Sequence, residues 1–387
     1  RGAIEFFRIR WHQCLRGICR GRLSAPLNFG MTPMSDVKTP KATPDANVKA
    51  KGGLGRLIAW LFAGLLVLAL LAAGSVYGGY RWLQAEFIAP GPAMEETVIL
   101  LPRGTGLVRI SSQLESAGLI EDARLFRAAV TLDGGDRSLR AGEYAVPARS
   151  SMAQIYELLR SGRTMQHPVT FAEGLTSAMI VAVLQEADVL TGEITQTPPE
   201  GSLLPETYLV DRGTPRQVVL DRMLAAQQTL LDELWPHRAE DLPFETREEA
   251  IILASVVEKE TGIGAERAEV AAVFVNRLRR GMRLESDPTI IYGISRGEPL
   301  GRGLRRSELD NAANAWNSYQ NDGLPPTPIA NPGAESIAAV LNPAESRALF
   351  FVADGTGGHA FSATYAEHQR HVARWRQIER ARRNAGD

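Results

Sequence analysis

One acidic residue falls on the apolar face of a helix-sized stretch of the chain. Residues 250–261 read A-I-I-L-A-S-V-V-E-K-E-T. On an α-helix, Glu258 falls on the same face as Ala254 and Ile251, whereas Lys259 and Glu260 point to other faces. An ionised carboxylate is costly to bury without partners, so such a group either finds hydrogen bonds or keeps its proton. A carboxyl that keeps its proton near neutral pH can serve as a general acid, and Glu258 is the predicted catalytic residue.

A structural role for Glu258 is the alternative. The side chain could lie at the edge of the helix in contact with water, or pair with an arginine such as Arg277. The residues of this stretch do not decide between the two.

Polar residues accumulate after Gly281, in a pattern that suits a carbohydrate cleft. Amides and carboxylates hydrogen-bond hydroxyl groups, flat aromatic rings stack on sugar faces, and the proline-rich loop at residues 323–333 is rigid before it binds. The candidate substrate-binding residues are Asn276, Asp287, Asn317, Tyr319 and Asn331. Each also has a structural interpretation, as a turn cap, a loop hydrogen bond or a core residue. His359 could be a catalytic base or a hydrogen-bonded structural histidine, and we interpret it as structural.

Helices and short strands alternate around these residues, which predicts an α+β fold. The predicted strands are 97–100, 140–144 and 169–171. The predicted helices are Leu107 to Ser116, Asp122 to Val130, Ser151 to Leu159, Ser177 to Gln185, Gln217 to Trp235, Ala250 to Thr261, Glu266 to Arg280 and Tyr365 to Arg383. The stretch at 284–289 is expected to be a polar elbow.

Charge and cysteine content divide the chain. Residues 1–56 carry a net charge of +8 and the remainder −9. Both cysteines, Cys14 and Cys19, lie in the basic leader, so the body contains no thiol. This fits an oxidising compartment. The six histidines show no H-E-x-x-H spacing, which argues against a zinc hydrolase, and we expect no metal, cofactor or nucleic acid.

An uncharged run from Leu57 to Tyr80 predicts a transmembrane helix. At about 1.5 Å per residue it is long enough for the roughly 30 Å hydrocarbon core. Lys49, Lys51 and Arg56 precede it, so the positive-inside bias predicts a cytoplasmic N-terminus. The predicted domains are a disordered leader at 1–55, a membrane helix at 56–82, a small module at 92–165 and a larger domain at 166–380.

Several linked motifs resemble the endolytic murein transglycosylases, the MltG or YceG-like family. They are L-A-S-V-V-E-K-E-T (253–261), N-R-L (276–278), G-M-R-L-E-S-D-P-T (281–289), G-L-P-P (323–326), I-A-N-P-G (329–333) and F-V-A-D-G-T-G-G-H-A-F (351–361). The resemblance extends from about residue 95 to 375. Departures occur at 170–174, around Ser202, and at Trp316, where the family pattern leads us to expect tyrosine.

The resemblance implies a LysM-like small module and a catalytic domain that cuts peptidoglycan glycan strands internally. Glu258 matches the family's catalytic glutamate when that residue is aligned with the first Glu of V-E-K-E-T. The implied reaction protonates the bond between N-acetylmuramic acid and N-acetylglucosamine and closes a 1,6-anhydro ring through the C6 hydroxyl. Water is not the nucleophile, so a second carboxylate is not needed.

The resemblance further implies a bacterial inner-membrane protein with its catalytic domain in the periplasm, in contact with penicillin-binding synthases. A non-catalytic peptidoglycan-binding scaffold is the main alternative, and a conventional hydrolase is a second.

Overall fold

The computed structural model describes residues 53–385. The predicted disordered leader therefore lies almost entirely outside the described residues. The chain divides into two compact units at Ala73/Gly74, and each is described by itself.

The predicted apolar helix is present. Helix α1 spans Gly53–Ile88, and among the described residues it is the one helix long and apolar enough to cross a membrane, with a mean hydropathy of 2.5 over its best window. Apart from the half-buried Tyr80, its large side chains from Leu57 to Trp82 are exposed, as in a helix that no protein core covers. Beyond the predicted end at Tyr80 the helix continues to Phe87, which is buried against Phe126 and Tyr156 at ring distances of 6.3 Å.

A small α+β module follows α1 in sequence. Strand β1 (Thr97–Leu101) pairs antiparallel with β2 (Gly142–Val146). Three helices cover this sheet: α2 (Leu107–Ser116), α3 (Ala123–Leu132) and α4 (Met152–Ser161). Asp122 caps α3 and a Ser151/Gln154 capping box begins α4, so local sequence sets both starts.

The larger domain begins with β3 (His167–Thr170), which pairs antiparallel with β5 (Thr207–Val210). Strands β4 (Leu190–Thr191) and β6 (Thr214–Pro215), which precede and follow β5 in sequence, form a short parallel pair. Helices α5 (Ser177–Glu186) and α6 (Arg216–Leu234) bury Ile180, Leu184 and Leu220 with the strands in one apolar cluster.

The central helix α7 spans Arg247–Glu260 and begins at a Thr246/Glu249 capping box. It packs with α8 (Gly264–Arg279) and α11 (Ala334–Leu341). The connection between α8 and α11 contains two further helices, α9 (Asp287–Ser295) and α10 (Arg306–Leu309). Seven of the eight residues from Ala250 to Val257 are buried, so this helix is the centre of the domain core.

The chain closes with a hairpin and a helix. Strands β7 (Phe350–Ala353) and β8 (His359–Ser362) pair antiparallel, and α12 (Tyr365–Ala385) packs against them.

The predicted α+β class is confirmed, and most predicted helices begin and end within a few residues of the observed ones. The prediction missed α9, α11 and the β7–β8 hairpin. The expected elbow at 284–289 is wrong in its second half, because Asp287 and Pro288 begin α9. Proline is accepted at the first turn of a helix, where its missing N–H has no partner to lose.

Candidate active site

Two carboxyl groups project from the last turn of α7. Glu258 and Glu260 are separated by one residue, so their side chains leave the helix in widely different directions. Each enters a different polar environment, and the expectation of a single buried acid on this helix is wrong.

Glu258 faces the beginning of α11. Its Oε2 accepts hydrogen bonds from the Gly333 backbone N–H at 3.0 Å and from Ser336 Oγ at 2.7 Å. The side chain is 6% exposed, and its Oε1 lies 3.7 Å from an Arg267 guanidinium nitrogen. The carboxylate thus occupies the positive end of a helix dipole and pairs with an arginine. The proposed partner Arg277 is wrong; that guanidinium bonds Glu285 and the Leu349 carbonyl instead.

Arg267 joins Glu258 to two further acids. The buried guanidinium contacts Glu335 and lies 3.5 Å from Glu173 Oε2. Burial raises the pKa of Glu173, and the nearby charge of Glu258 raises it further. Three carboxylates therefore share one arginine, which makes this cluster a charged junction between α7, α8, α11 and the loop after β3.

Gly174 lets that loop approach α7. Its φ of +75° is in the left-handed region, and a Cβ at this position would lie 3.4 Å from Glu258 Cγ and 3.3 Å from Lys259 Cδ. Its N–H donates to the Asn331 carbonyl at 3.0 Å, and its carbonyl accepts from Lys259 Nζ at 3.2 Å. Glycine here combines a special conformation with a close contact.

Glu260 has a different environment. Its Oε1 accepts a hydrogen bond from Ser286 Oγ at 2.5 Å, just before the start of α9. Burial raises the pKa of Glu260 above its ordinary value, the Ser286 hydrogen bond partly opposes this, and the charge of Asp287 raises it again. No lysine or arginine of residues 53–385 forms an ion pair with this carboxyl. Glu260 is thus the acid of α7 whose surroundings favour the protonated form.

Asp287 and Tyr319 lie next to Glu260. The Tyr319 hydroxyl donates to Asp287 Oδ1 at 2.8 Å. Burial raises the pKa of Tyr319, and the charges of Asp287 and Glu260 add to the effect. Two of the predicted substrate-binding residues are therefore brought together with an acid, and Asp287 is exposed.

The three predicted asparagines are used differently. Asn276 donates to the carbonyls of Ser346 and Ala348, and the fully buried Asn317 donates to those of Glu308, Leu309 and Asn311. These amides hold loops in place. The full burial of Asn317 corrects the expectation that it binds substrate directly, whereas substrate contact by the half-buried Asn276 stays a prediction.

Asn331 is also fully buried, and it links three segments. Its Oδ1 accepts from the Leu203 N–H at 3.0 Å, and its amide nitrogen donates to the Leu175 carbonyl, Ser177 Oγ and Glu200 Oε1. It therefore supports the loop that presents Gly333 to Glu258, and it has no surface for a ligand. The expectation of direct sugar contact is corrected here as well.

Glu200 is a polar residue that sequence reasoning missed. Its carboxylate accepts from the Ser177 N–H at 2.6 Å and from the Tyr292 hydroxyl at 3.2 Å. Burial raises its pKa, and the hydrogen bond from the Ser177 N–H is the main opposing effect. Its sequence context, a loop glutamate before a glycine, gives no sign that the side chain is buried and accepts hydrogen bonds from two other segments. His359 bonds Glu266 at 2.8 Å through Nδ1, in agreement with a structural histidine.

These contacts define an α+β protein whose central helix presents one ion-paired carboxylate and one carboxyl with a raised pKa. The second lies beside an exposed aspartate and a tyrosine. The chain belongs to the YceG-like family, whose model matches residues 99–374.

Two similar proteins bear the name endolytic murein transglycosylase. An endolytic murein transglycosylase of Streptococcus pneumoniae is 28% identical over 363 residues, which cover 81% of this chain and 65% of that protein. This chain thus spans less than two thirds of the length of that relative. An endolytic murein transglycosylase of Bacillus subtilis is 27% identical over 305 residues, or 70% of this chain and 82% of that protein. A crystal structure of a YceG-like protein from Listeria monocytogenes is 26% identical, covers 71% of this chain and 98% of its own, and has a TM-score of 0.43.

Proposed function

We propose that this protein is an endolytic peptidoglycan lytic transglycosylase. It cleaves the bond between N-acetylmuramic acid and N-acetylglucosamine within glycan strands and leaves 1,6-anhydro ends. Family membership and the two relatives named for this activity support the proposal.

The acid that we propose is Glu260, in place of the sequence-based choice Glu258. The carrying observation is the placement of the Glu260 carboxyl, whose hydrogen-bond partner is the Ser286 hydroxyl and which has Asp287 and Tyr319 beside it. Burial there raises its pKa, in agreement with this role. A general acid must hold a proton at the working pH and remain reachable. Glu258 accepts hydrogen bonds from Gly333 and Ser336 and lies 3.7 Å from Arg267, so the protein itself already engages both of its oxygens.

In the proposed reaction, the Glu260 carboxyl gives its proton to the glycosidic oxygen as the bond from that oxygen to C1 of the muramic acid breaks. The N-acetylglucosamine unit leaves with a new hydroxyl. The Glu260 carboxylate then takes the proton of the muramic C6 hydroxyl while the C6 oxygen bonds to C1. The residue ends protonated, and no water is consumed.

The experiment compares Glu260→Gln with Glu258→Gln in the full chain, using purified murein and mass spectrometry of the released products. We expect Glu260→Gln to release no anhydro-muropeptides. Glu258→Gln should keep part of the activity, because glutamine still accepts from Gly333 and Ser336. Glu193→Gln, at an exposed residue, is the matched control.

The opposite pattern, with Glu258→Gln inactive and Glu260→Gln active, would return the acid to Glu258. Unchanged release of anhydro-muropeptides by both variants would favour the alternative that the protein is a non-catalytic peptidoglycan-binding scaffold. Products with reducing ends would indicate a conventional hydrolase.

We further propose that α1 is a single-pass anchor in the inner membrane, with a cytoplasmic N-terminus and a periplasmic body. The length, composition and exposure of α1 support this, together with the preceding positive charges. The small module, residues 92–165, is proposed to be LysM-like and to hold glycan for the domain at 166–380. Penicillin-binding synthases are the proposed neighbours.

Alkaline carbonate washing of membranes tests the anchor. The full chain should stay in the pellet, and a variant without residues 57–80 should be released. Protease added to the periplasmic side should digest the body; protection there would reverse the proposed orientation.

A further inference from the structure

Arg296 lies at the C-terminal end of α9, stacked on aromatic rings. Its guanidinium carbon is 4.2 Å from the centre of the Trp316 ring and 5.5 Å from that of Tyr292. The residue itself is exposed. An arginine stacked in this way loses little freedom when it binds, and the N–H groups at the edge of its plane stay available.

The backbone fixes the same group. Arg296 has φ +57° and ψ 36°, a left-handed conformation that is uncommon for residues other than glycine. Its N–H donates to the Tyr292 carbonyl at 2.8 Å. The next residue, Gly297, lies against Thr176, since a Cβ there would be 2.4 Å from Thr176 Cγ2. The arginine is therefore placed by both its backbone and its rings.

The aromatic partner is fixed as well. Trp316 Nε1 donates to Thr327 Oγ1 at 3.0 Å, in the proline-rich loop. The Trp316 and Tyr292 rings meet edge to face at 5.7 Å. This assembly of Arg296, Trp316 and Tyr292, called here the Arg296 platform, is thus held by α9 and by two loops.

Within the described residues, the Arg296 guanidinium has no acidic partner. Other arginines of this region are paired: Arg302 with Glu308 at 2.6 Å, Arg306 with Asp310 at 2.9 Å and Arg283 with Asp322 at 2.9 Å. For Arg296, the described part of the chain offers no such ion pair. A fixed, unpaired guanidinium is suited to bind a carboxylate through two parallel hydrogen bonds.

The position relates the platform to the proposed acid. Ser286 and Asp287, which contact or neighbour Glu260, stand at one end of α9, and Arg296 follows its other end. At about 1.5 Å per residue, nine residues separate the two by roughly 13 Å. The loop of Trp316 also carries Tyr319, which bonds Asp287. A strand bound along α9 would reach both.

We propose that the Arg296 platform binds a carboxylate of the peptide stem attached to the glycan, and so makes the enzyme prefer peptide-bearing strands. This rests on the proposed function, because it takes murein as the substrate. Where a peptide is attached, the lactyl carboxyl of N-acetylmuramic acid is consumed in the amide bond to it, so the free carboxylates of the strand lie on the peptide. The amide and hydroxyl groups of the sugars do not require an unpaired arginine.

The test compares two substrates with the full chain in detergent. One is a preparation of peptide-bearing glycan strands. The other, called naked strands, is the same material after an amidase has removed the peptides and the lactyl carboxylates so exposed have been converted to methylamides. For Arg296→Gln we expect kcat/KM on peptide-bearing strands to fall about tenfold, mainly through a higher KM, a loss of the size expected for one charge-assisted contact. On naked strands the kcat/KM of Arg296→Gln should equal that of the wild type.

Arg296→Lys keeps the charge but not the plane, so its loss on peptide-bearing strands should be intermediate. Arg306→Gln, an exposed arginine that is already paired, is the control and should change neither substrate. Equal losses of Arg296→Gln on both substrates, or no loss on either, would overturn the proposal. Thermal unfolding of each variant checks that it is folded.

Failure of the proposed function would look different. In that case the wild type would produce anhydro ends from neither substrate. The platform is then tested by binding alone. The amounts of Glu260→Gln and of the double variant Glu260→Gln/Arg296→Gln that stay bound to peptide-bearing strands and to naked strands are compared. Weaker binding of the double variant that is confined to peptide-bearing strands supports the platform as a carboxylate site. Equal binding of the two proteins to both kinds of strand contradicts it.

Discussion

Glu258 and Glu260 show how far surroundings can separate two identical side chains. They share a helix turn, but one meets the N-terminus of α11 and Arg267, and the other meets a serine hydroxyl in a desolvated position. The first carboxyl is engaged by protein donors and an arginine, whereas burial raises the pKa of the second. Two different environments can therefore arise from one short motif.

The raised pKa of Glu260 predicts how stability depends on pH. The folded state holds this proton more tightly than the unfolded state, so the stability that the group contributes is complete below its unfolded pKa and is lost as pH rises through the folded value. Glutamine has no proton to lose. Glu260→Gln should therefore gain stability relative to the wild type as pH rises.

Thermal unfolding at about pH 4 and at about pH 8, on either side of the expected titration, measures this difference. Glu193→Gln is the control and should show no such trend. If the difference between Glu260→Gln and the wild type were the same at both pH values, the carboxyl would not titrate differently in the folded state.

At the scale of elements, the loop before α11 determines where the charged junction forms. Asn331 is fully buried and connects this loop to the Leu203 N–H and to Glu200. Gly333 follows two residues later and donates to Glu258. The position of α11 relative to α7 thus depends on the Asn331 amide, whose partners Leu203 and Glu200 are distant from it in sequence.

Replacing Asn331 by alanine should leave the buried Leu203 N–H without an acceptor. We expect the free energy of unfolding to fall by about 2 kcal/mol, the typical cost of an unsatisfied buried donor. Urea unfolding measures it, and activity should fall in parallel. Asn321→Ala is the control with a smaller loss, because it removes two hydrogen bonds from the Asn321 amide to backbone carbonyls at a partly buried site. An inactive Asn331→Ala of unchanged stability would instead indicate direct contact with substrate.

At the scale of the molecule, Glu143 connects the small module to the larger domain. This residue of β2 accepts from His167 Nε2 at 2.5 Å and from Arg212 Nε at 3.1 Å. Burial alone would raise the pKa of Glu143, but the hydrogen bonds and charges of His167 and Arg212 together lower it. The two parts of residues 74–385 are therefore joined by an ionic contact as well as by the chain.

A lowered pKa predicts acid sensitivity of this junction. The stability that Glu143 contributes is present above its unfolded pKa and is lost as pH falls through the folded value. Glu143→Gln should be less stable than the wild type at about pH 6, and the two should converge at about pH 3, below the ordinary carboxyl range.

Calorimetric unfolding measures both effects, and separate transitions for the small module and the larger domain would mark a weakened junction. Glu157→Gln, in an exposed pair with Arg160, is the control and should stay close to the wild type. A constant difference across this pH range would contradict the ionic contact.

Local sequence determined most of the elements. Asp122, Ser151 and Thr246 cap α3, α4 and α7, and apolar periodicity marks the helices between their ends. The apolar run of α1 is evident from composition alone, because its length and lack of charge need no partner to be interpreted. Short elements such as α9 and the β7–β8 hairpin escaped prediction, since few residues give a weak periodic signal and their formation depends on packing.

The sequence also located the site on the last turn of α7, but it chose the acid from helix geometry alone. Which carboxyl is paired and which is desolvated depends on Arg267, Ser286 and Gly333, and these reach α7 from separate parts of the chain. The same holds for Asn317 and Asn331, whose polar side chains suggested a ligand and are used by buried backbone groups. A pattern along the chain records which groups can do chemistry; their charge and access are set by neighbours that only the tertiary structure brings together.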